Sequence, residues 1–491
     1  MIVPSCGHWP SRRHWGKIAA RVVAGALVTF TFIAVSVPPA LALHNDSRPV
    51  TRLTFGGSHS HTPGRQWSTR ALSFSSDVDL LGNGSTGRQL FIFDLYAFDC
   101  NHGTTKALTP CFVPPLPSLI QVTSGPGSPD NPSMVFRSLN QVVAFDADGS
   151  FMGDTGAAAN HRQIYLMDII TGEIIQMTSS PDGDSVRPMI NTTGIMVAFE
   201  STAPLLGGAP GVSQIFVYQW TWRLAQGVLR QVTAGQAPST APSLTGVANP
   251  RTPTLITFQS AADLLGDGHD TGVSQIFLAT VDWLNNLTTL QQLTNGNAPS
   301  RRPQVAGRRD FVAFESDATN LPGATGSQGT QIYGVPIGQG NLPRVEPFTT
   351  FDAYGNCSFP SIADMGDRVA FICDGDPLQN GTVGDRAFVL LLDRKAGLKP
   401  MELQQITGRG NVKGPLGTYM GRTFLTLADN TDLTGEGVCD YQLYLVDNNP
   451  QGFYWHSAKK PGDLPDDLTQ PPPAVTNVLG NHNFVVRSGL P

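Results

Sequence analysis

Aspartates standing beside glycines recur along this chain. Asp146-Ala147-Asp148-Gly149 is followed by Asp154, Asp267-Gly268-His269-Asp270 forms a second group, and Asp374-Gly375-Asp376 a third. Carboxylates gathered on a glycine-bearing loop are oxygen donors for a hard cation, and calcium takes about six to eight such oxygens. Asp146, Asp148, Asp154, Asp267 and Asp270 are therefore the candidate metal ligands, with calcium as the ion. None of these segments fills an EF-hand loop, and Asp and Gly are equally the ordinary residues of turns. His59 and His61 lie two apart, so on a strand they share a face, but no neighbouring Cys or carboxylate completes a ligand set. The sequence offers no Gly-x-Ser-x-Gly elbow and no Gly-x-x-x-x-Gly-Lys-Ser/Thr loop. It therefore assigns no catalytic residue and no cofactor site.

Cysteine supplies a different chemistry. Six are present. Cys100 and Cys111 bracket an insertion rich in Pro and Thr. Cys357 and Cys373 flank two apolar runs joined by Asp364-Met365-Gly366-Asp367. In an antiparallel hairpin centred on that turn, Cys357 stands almost opposite Cys373, which suits the narrow Cβ spacing of a disulfide. Both pairs are disulfide candidates in an oxidising compartment. Cys6 lies in the N-terminal segment, and Cys439 is left as a buried thiol.

The elements that must carry these residues are repeats. Phe311-Val312-Ala313-Phe314-Glu315-Ser316 precedes Gln331-Ile332-Tyr333, Val197-Ala198-Phe199-Glu200-Ser201 precedes Gln214-Ile215-Phe216, and Ile256-Thr257-Phe258-Gln259-Ser260 precedes Gln275-Ile276-Phe277. A third anchor ends in Thr, as in Gln231-Val232-Thr233 and Gln292-Leu293-Thr294. A fourth opens on a proline, as in Arg187-Pro188, Ala241-Pro242, Arg302-Pro303 and Phe359-Pro360, where Pro is read as the first residue of a strand. The Gln anchors recur every 51 to 74 residues. Four short strands per unit, repeated about seven times, predict an all-β chain folded as a β-propeller of seven four-stranded blades, with eight or six as alternatives. Thr51-Arg52-Leu53-Thr54 matches the Thr-ending anchor but stands ahead of the first full unit, so it is expected to close the ring as the outer strand of the last blade. Phe484-Val485-Val486-Arg487 belongs to a tail expected to pack on the ring.

Composition fits this. Only 14% of residues are charged, 40% are hydrophobic, and there are 52 Gly and 38 Pro, a turn-rich mix with enough apolar matter for a core. Residues 1–42 read as an export signal. Arg12, Arg13, Lys17 and Arg21 precede an apolar run from Val22 to Val37, and Ala40-Leu41-Ala42 follows as the cleavage site. Ser11-Arg12-Arg13-His14-Trp15-Gly16-Lys17 resembles a twin-arginine motif. Removal of the signal takes four of the 32 Lys+Arg and none of the 38 Asp+Glu, moving the formal charge from −6 to −10. Residues 43–491 then form the propeller and tail, with no membrane span and no basic stripe for nucleic acid.

The segment Phe314-Glu315-Ser316-Asp317-Ala318-Thr319-Asn320-Leu321, its glycine-rich loop and Gln331-Ile332-Tyr333 resemble the WD40-like (PD40) repeat of TolB-type bacterial propellers. The likeness covers roughly residues 50 to 490, and no α/β domain of the TolB type is legible ahead of it. It implies a periplasmic or secreted protein that binds an envelope or extracellular protein. A glycan or small molecule is the other partner class. The competing reading is a propeller-fold lyase or glycosidase with carboxylates in its central channel. Trp220, Trp222 and Trp283, just after third strands, would either form a partner platform or pack on the outer blades.

Overall fold

The computed structural model describes residues 71–94, 119–136, 141–152, 157–207, 210–221, 226–245, 252–268, 272–324, 329–337, 344–363, 366–382, 384–393, 399–407 and 411–418, and the strand pieces 50–52, 60–61, 66–68, 424–429, 442–447 and 487–488 by their backbone alone. The export signal expected in residues 1–42, with Cys100, Cys111, Asp154, Trp222, Asp270 and Cys439, lies outside the described residues. The fold lies in the unit Asp46–Pro491.

The repeated aromatic anchors are cross-strand partners. In the unit formed by Ser239–Leu244, Thr254–Ser260, Gln275–Asp282 and Leu287–Gln292, the strands pair antiparallel in chain order. Phe258 stands opposite Phe277, with ring centroids 5.7 Å apart. Phe74–Phe91, Phe145–Tyr165, Phe199–Phe216, Phe314–Tyr333 and Phe371–Phe388 repeat the stacked pair. Such pairs are the unit of sheet stabilisation and fix register, because a one-residue slip would turn every side chain to the wrong face.

Gln and Thr have an equally local cause. Gln275 Oε1 accepts from Thr294 Oγ1 at 2.8 Å, its Nε2 donates to the Gly296 carbonyl at 2.8 Å, and Thr294 Oγ1 accepts the Ile276 N–H at 2.9 Å. The same lock joins Gln89 to Thr123, Gln163 to Thr178, Gln214 to Thr233 and Gln331 to Thr349. It satisfies buried backbone groups where the third strand begins and the outer strand has ended. In the sixth sheet Arg386 stands for Gln and donates to the carbonyls of Asp374 and Gly375.

The described residues form seven sheets. Val50–Arg52 pairs antiparallel with Gln442–Asp447 and completes the seventh, so the first strand and the last unit share one sheet. The second sheet carries two extra parallel pieces, Gln66–Ser68 on its inner strand and Arg487–Ser488 on its outer one, the latter from the C-terminal tail. The core sits between sheets rather than within them. Val197 and Phe199 point into a cluster with Val142, Ala144 and Ile164 of the preceding sheet, whereas Met196 and Ala198 point into one with Ile256, Phe258 and Phe277 of the following sheet. Both faces of the second strand are buried, which is why it reads as an unbroken apolar run. Trp220 is buried in the first of these clusters beside Tyr218, so it packs between blades and is no exposed platform. Trp283 donates from its ring nitrogen to Thr254 Oγ1 and carries Arg230 on its face.

A serine pair ties the inner strand to the second strand. Ser185–Ser201, Ser239–Ser260 and Ser300–Ser316 are register partners joined by hydroxyl hydrogen bonds of 2.9, 3.0 and 2.9 Å. At the equivalent place in the sixth sheet the partners are Cys357 and Cys373, and they form a disulfide.

Candidate functional site in the central channel

The proline of each inner strand is not its first residue. Pro132 lies within Asp130–Phe136, Pro188 within Ser185–Ile190, Pro242 within Ser239–Leu244, Pro303 within Ser300–Val305 and Pro360 within Cys357–Ile362. Strand pairing shifts register at each of these places. A bulge takes the proline out of the ladder, so its missing N–H costs no hydrogen bond. The residue before it adopts a left-handed conformation, with φ of 49° at Asn131, 53° at Arg187, 54° at Ala241, 49° at Arg302 and 55° at Phe359. Non-glycine residues rarely hold that region, and each costs about 1–3 kcal/mol unless its surroundings hold it there.

What holds it is a belt of side chains running from sheet to sheet. Each belt residue directly follows the Phe of the second strand. Asp146 Oδ2 accepts the Arg187 N–H of the next sheet at 2.9 Å. Glu200 Oε2 accepts the Ala241 N–H, Gln259 Oε1 the Arg302 N–H, and Glu315 Oε2 the Phe359 N–H, each at 2.8 Å. The bulge residue's side chain then matches the belt residue of its own sheet. Arg187 Nη1 donates to Glu200 Oε1 at 2.5 Å, and Arg302 Nη1 donates to Glu315 Oε1. Arg301 Nε adds a 3.5 Å contact to Glu315. Asn131 donates to Asp146 at 2.8 Å, and Arg162 also pairs with Asp146. Where the bulge residue is Ala241, the belt residue is the neutral Gln259.

Burial pushes the Asp146 carboxyl above the usual carboxylate range, against the pull of Arg162 and the Arg187 N–H. Glu200 is raised for the same reason, with Arg187 opposing.

The bulges of six sheets line an axial cavity of about 480 Å3. Its wall takes the X-Pro pairs, with Arg301, Thr240, Gln259, Gln304, Met189 and Leu416. Phe359 carries the Arg302 guanidinium 4.2 Å from its ring centroid. In the seventh sheet the bulge residue is Gly414, and a Cβ there would fall 2.1 Å from the Phe359 ring. A side chain at that position would displace the aromatic.

Of the candidate metal ligands, Asp146 is fully buried, with both oxygens engaged as described. Asp148 is half-exposed and pairs with Arg162 at 3.3 Å. Asp267 sits in a loop folded around a different carboxylate, Asp263, which accepts the N–H groups of Gly266, Asp267 and Gly268. Asp146 and Asp148 thus meet on one guanidinium, Asp267 lies in the loop of another sheet, and among the described residues no three of His, Cys, Asp or Glu converge on a point that would hold an ion. The belt and its arginines form no motif within a single repeat unit. Their signal is an acid or amide directly after Phe, followed 41 to 44 residues later by the residue before a proline.

No family model matches this chain, and no curated protein does. Solved structures do. Oligogalacturonate lyase from Vibrio parahaemolyticus is 12% identical, with a TM-score of 0.49 over 82% of this chain and 94% of that one. The β-propeller domain of the trilobed protease from Pyrococcus furiosus is 9% identical, with a TM-score of 0.46 over 81% and 95%. TolB from Acinetobacter baumannii is 15% identical, with a TM-score of 0.34 over 65% and 61%. With its antiparallel sheets following one another in sequence and its first strand completing the last sheet, the chain has a β-propeller fold.

Proposed function

We propose that this chain is an exported β-propeller that works by binding, without catalysis, and that its ligand or partner segment enters the channel cavity. The observation that carries the reading is the division of labour around that cavity. Glu200 and Glu315 have both oxygens committed to the bulges, and their side chains are 6% and 1% exposed, whereas the arginines facing them are 59% and 44% exposed. A general acid or base must reach its substrate, and these carboxylates would have to break the belt to do so. The wall is instead a recess in which arginine, threonine and glutamine side chains stand among prolines and apolar groups, a form that suits binding of a polar ligand.

Export is supported by the basic and apolar N-terminal segment with its Ala-Leu-Ala site. The Cys357–Cys373 disulfide suits an oxidising compartment. Among the described residues no helix is long and apolar enough to cross a membrane. An envelope or extracellular protein is the first partner class.

Two measurements test this. Cells making the full chain are fractionated, and the product is expected outside the cytoplasm with its N-terminus at about residue 43. The immobilised protein is then exposed to envelope and medium extracts beside its Thr240→Trp variant, which fills the cavity. Retention by the wild type and loss by the folded variant supports the channel. Equal retention by both would move binding elsewhere on the molecule.

A further inference from the structure

We propose that the channel cavity binds a small dicarboxylate, one carboxylate on Arg187 and the other on Arg302; this rests on the channel reading above. The accessible charge of the cavity is cationic even though carboxylates lie close by. Arg187 and Arg302 side chains are 59% and 44% exposed, against 6% and 1% for Glu200 and Glu315. Each guanidinium meets its glutamate through Nη1, and arginine has five N–H donors in a rigid fork, so donors remain for a bidentate carboxylate. Arg302 is already oriented, because its guanidinium sits over the Phe359 ring and meets Glu315; a preoriented fork loses less freedom when it binds.

The two arginines occupy equivalent bulge positions on the third and fifth sheets, and the fourth sheet places Ala241 between them. A methyl group there leaves room for a ligand that spans the pair. The backbone around the two arginines cannot compete for the anion, since the N–H groups of Arg187, Ala241, Arg302 and Phe359 are taken by the belt and proline has none. The buried carboxylate behind each guanidinium offsets part of its attraction, and a phosphate dianion costs more to take out of water than a carboxylate, so the singly charged group is favoured. A cavity of about 480 Å3 is the size that small organic ligands use.

The test is calorimetric titration of the folded protein with glutarate, adipate, adipamide and inorganic phosphate. One diacid is expected to bind with a Kd of about 1 mM or tighter, and the diamide and phosphate at least about tenfold more weakly. Arg187→Lys and Arg302→Lys keep the ion pairs with the glutamates but lose the fork, so each is expected to weaken the diacid about tenfold at an unchanged unfolding temperature. Diamide or phosphate binding as well as the diacid, lysine variants binding like wild type, or no binding by either diacid would each overturn the proposal. If the Thr240→Trp variant still loses the retained cell component while the lysine variants keep it, the channel stands and the dicarboxylate falls. If all variants retain it, the channel reading falls as well.

Discussion

Replacing Glu315 separates the two tasks of a belt residue. Its side chain is 1% exposed, Oε2 accepts the Phe359 N–H of the next sheet at 2.8 Å, and Oε1 faces Arg302 and Arg301. In Glu315→Ala the Phe359 N–H is left without its acceptor between two sheets, which costs about 1–3 kcal/mol. The arginines lose their partner, but they are 44% and 32% exposed, so water compensates them and this adds only about 1 kcal/mol. The expected loss is about 3 kcal/mol. In Glu315→Gln the amide oxygen can still accept the N–H, as Gln259 does for Arg302 at 2.8 Å, and the expected loss is about 1 kcal/mol. The assay is urea unfolding followed by circular dichroism, with the three proteins compared at one pH. Equal losses for Gln and Ala would refute the reasoning, because the charge and not the acceptor would then hold the bulge. A loss below about 1 kcal/mol for Ala would show that the bulge needs no belt.

The reciprocal change, Gln259→Glu, places a charge where Ala241 offers no arginine; it is expected to destabilise, and Ala241→Arg added to it to restore part of the loss in the same urea assay. Glu200 gives a pH dependence. Its carboxyl titrates higher in the folded chain than in the unfolded one, chiefly through burial, so the folded state holds the extra proton and stability falls as pH rises from the ordinary glutamate value through the raised one. Glu200→Gln should flatten that fall, and parallel slopes for the two proteins would count against it. Joining residues 16 apart in sequence is worth about 3 kcal/mol in the chain-entropy account. The double change Cys357→Ser, Cys373→Ser should lose only about 2 of these, because the hydroxyl pair of the other sheets replaces the bridge. The corresponding double alanine variant should lose the whole, and no difference between the two would remove the equivalence. Gly414→Ala pushes a methyl into the Phe359 ring and should lower the unfolding midpoint by the equivalent of about 1–3 kcal/mol.

The fold was legible because its determinants are local and recur. The Phe pairs and the Gln–Thr locks each use residues within one sheet, and their types repeat at matching places in successive units, so the sequence shows them as a motif. The Cys357–Cys373 register could be read from the turn between them for the same reason. The prolines misled in one respect. A proline at the head of an apolar run reads as a strand start, and nothing within the unit shows that Arg187 or Arg302 precedes it inside the strand with a left-handed backbone. That conformation depends on an acceptor supplied by the preceding sheet, Asp146 for Arg187 and Gln259 for Arg302. The site is therefore a property of neighbouring pairs of units, and of the belt carboxylates only Asp146 falls in a loop-side cluster of aspartates. Asp146 stands beside Asp148 and Gly149, which makes it a candidate metal ligand, and it also follows Phe145, which places it in the belt. The pattern that identifies the belt is a match within each sheet between the residue after Phe and the residue before Pro: Asp146 with Asn131, Glu200 with Arg187, Gln259 with Ala241, Glu315 with Arg302, and Ile372 with Phe359. Charge stands in the third and fifth sheets, where the bulge carries arginine, and in the second, where the arginine that meets Asp146 is Arg162 and not the bulge residue; it is absent from the fourth and sixth, where the bulge carries alanine and phenylalanine. A belt that served only to hold the bulges could use glutamine in every sheet, as Gln259 demonstrates. The glutamates therefore stand where an arginine has to be anchored at the channel wall, and the arginines are what the channel offers a ligand.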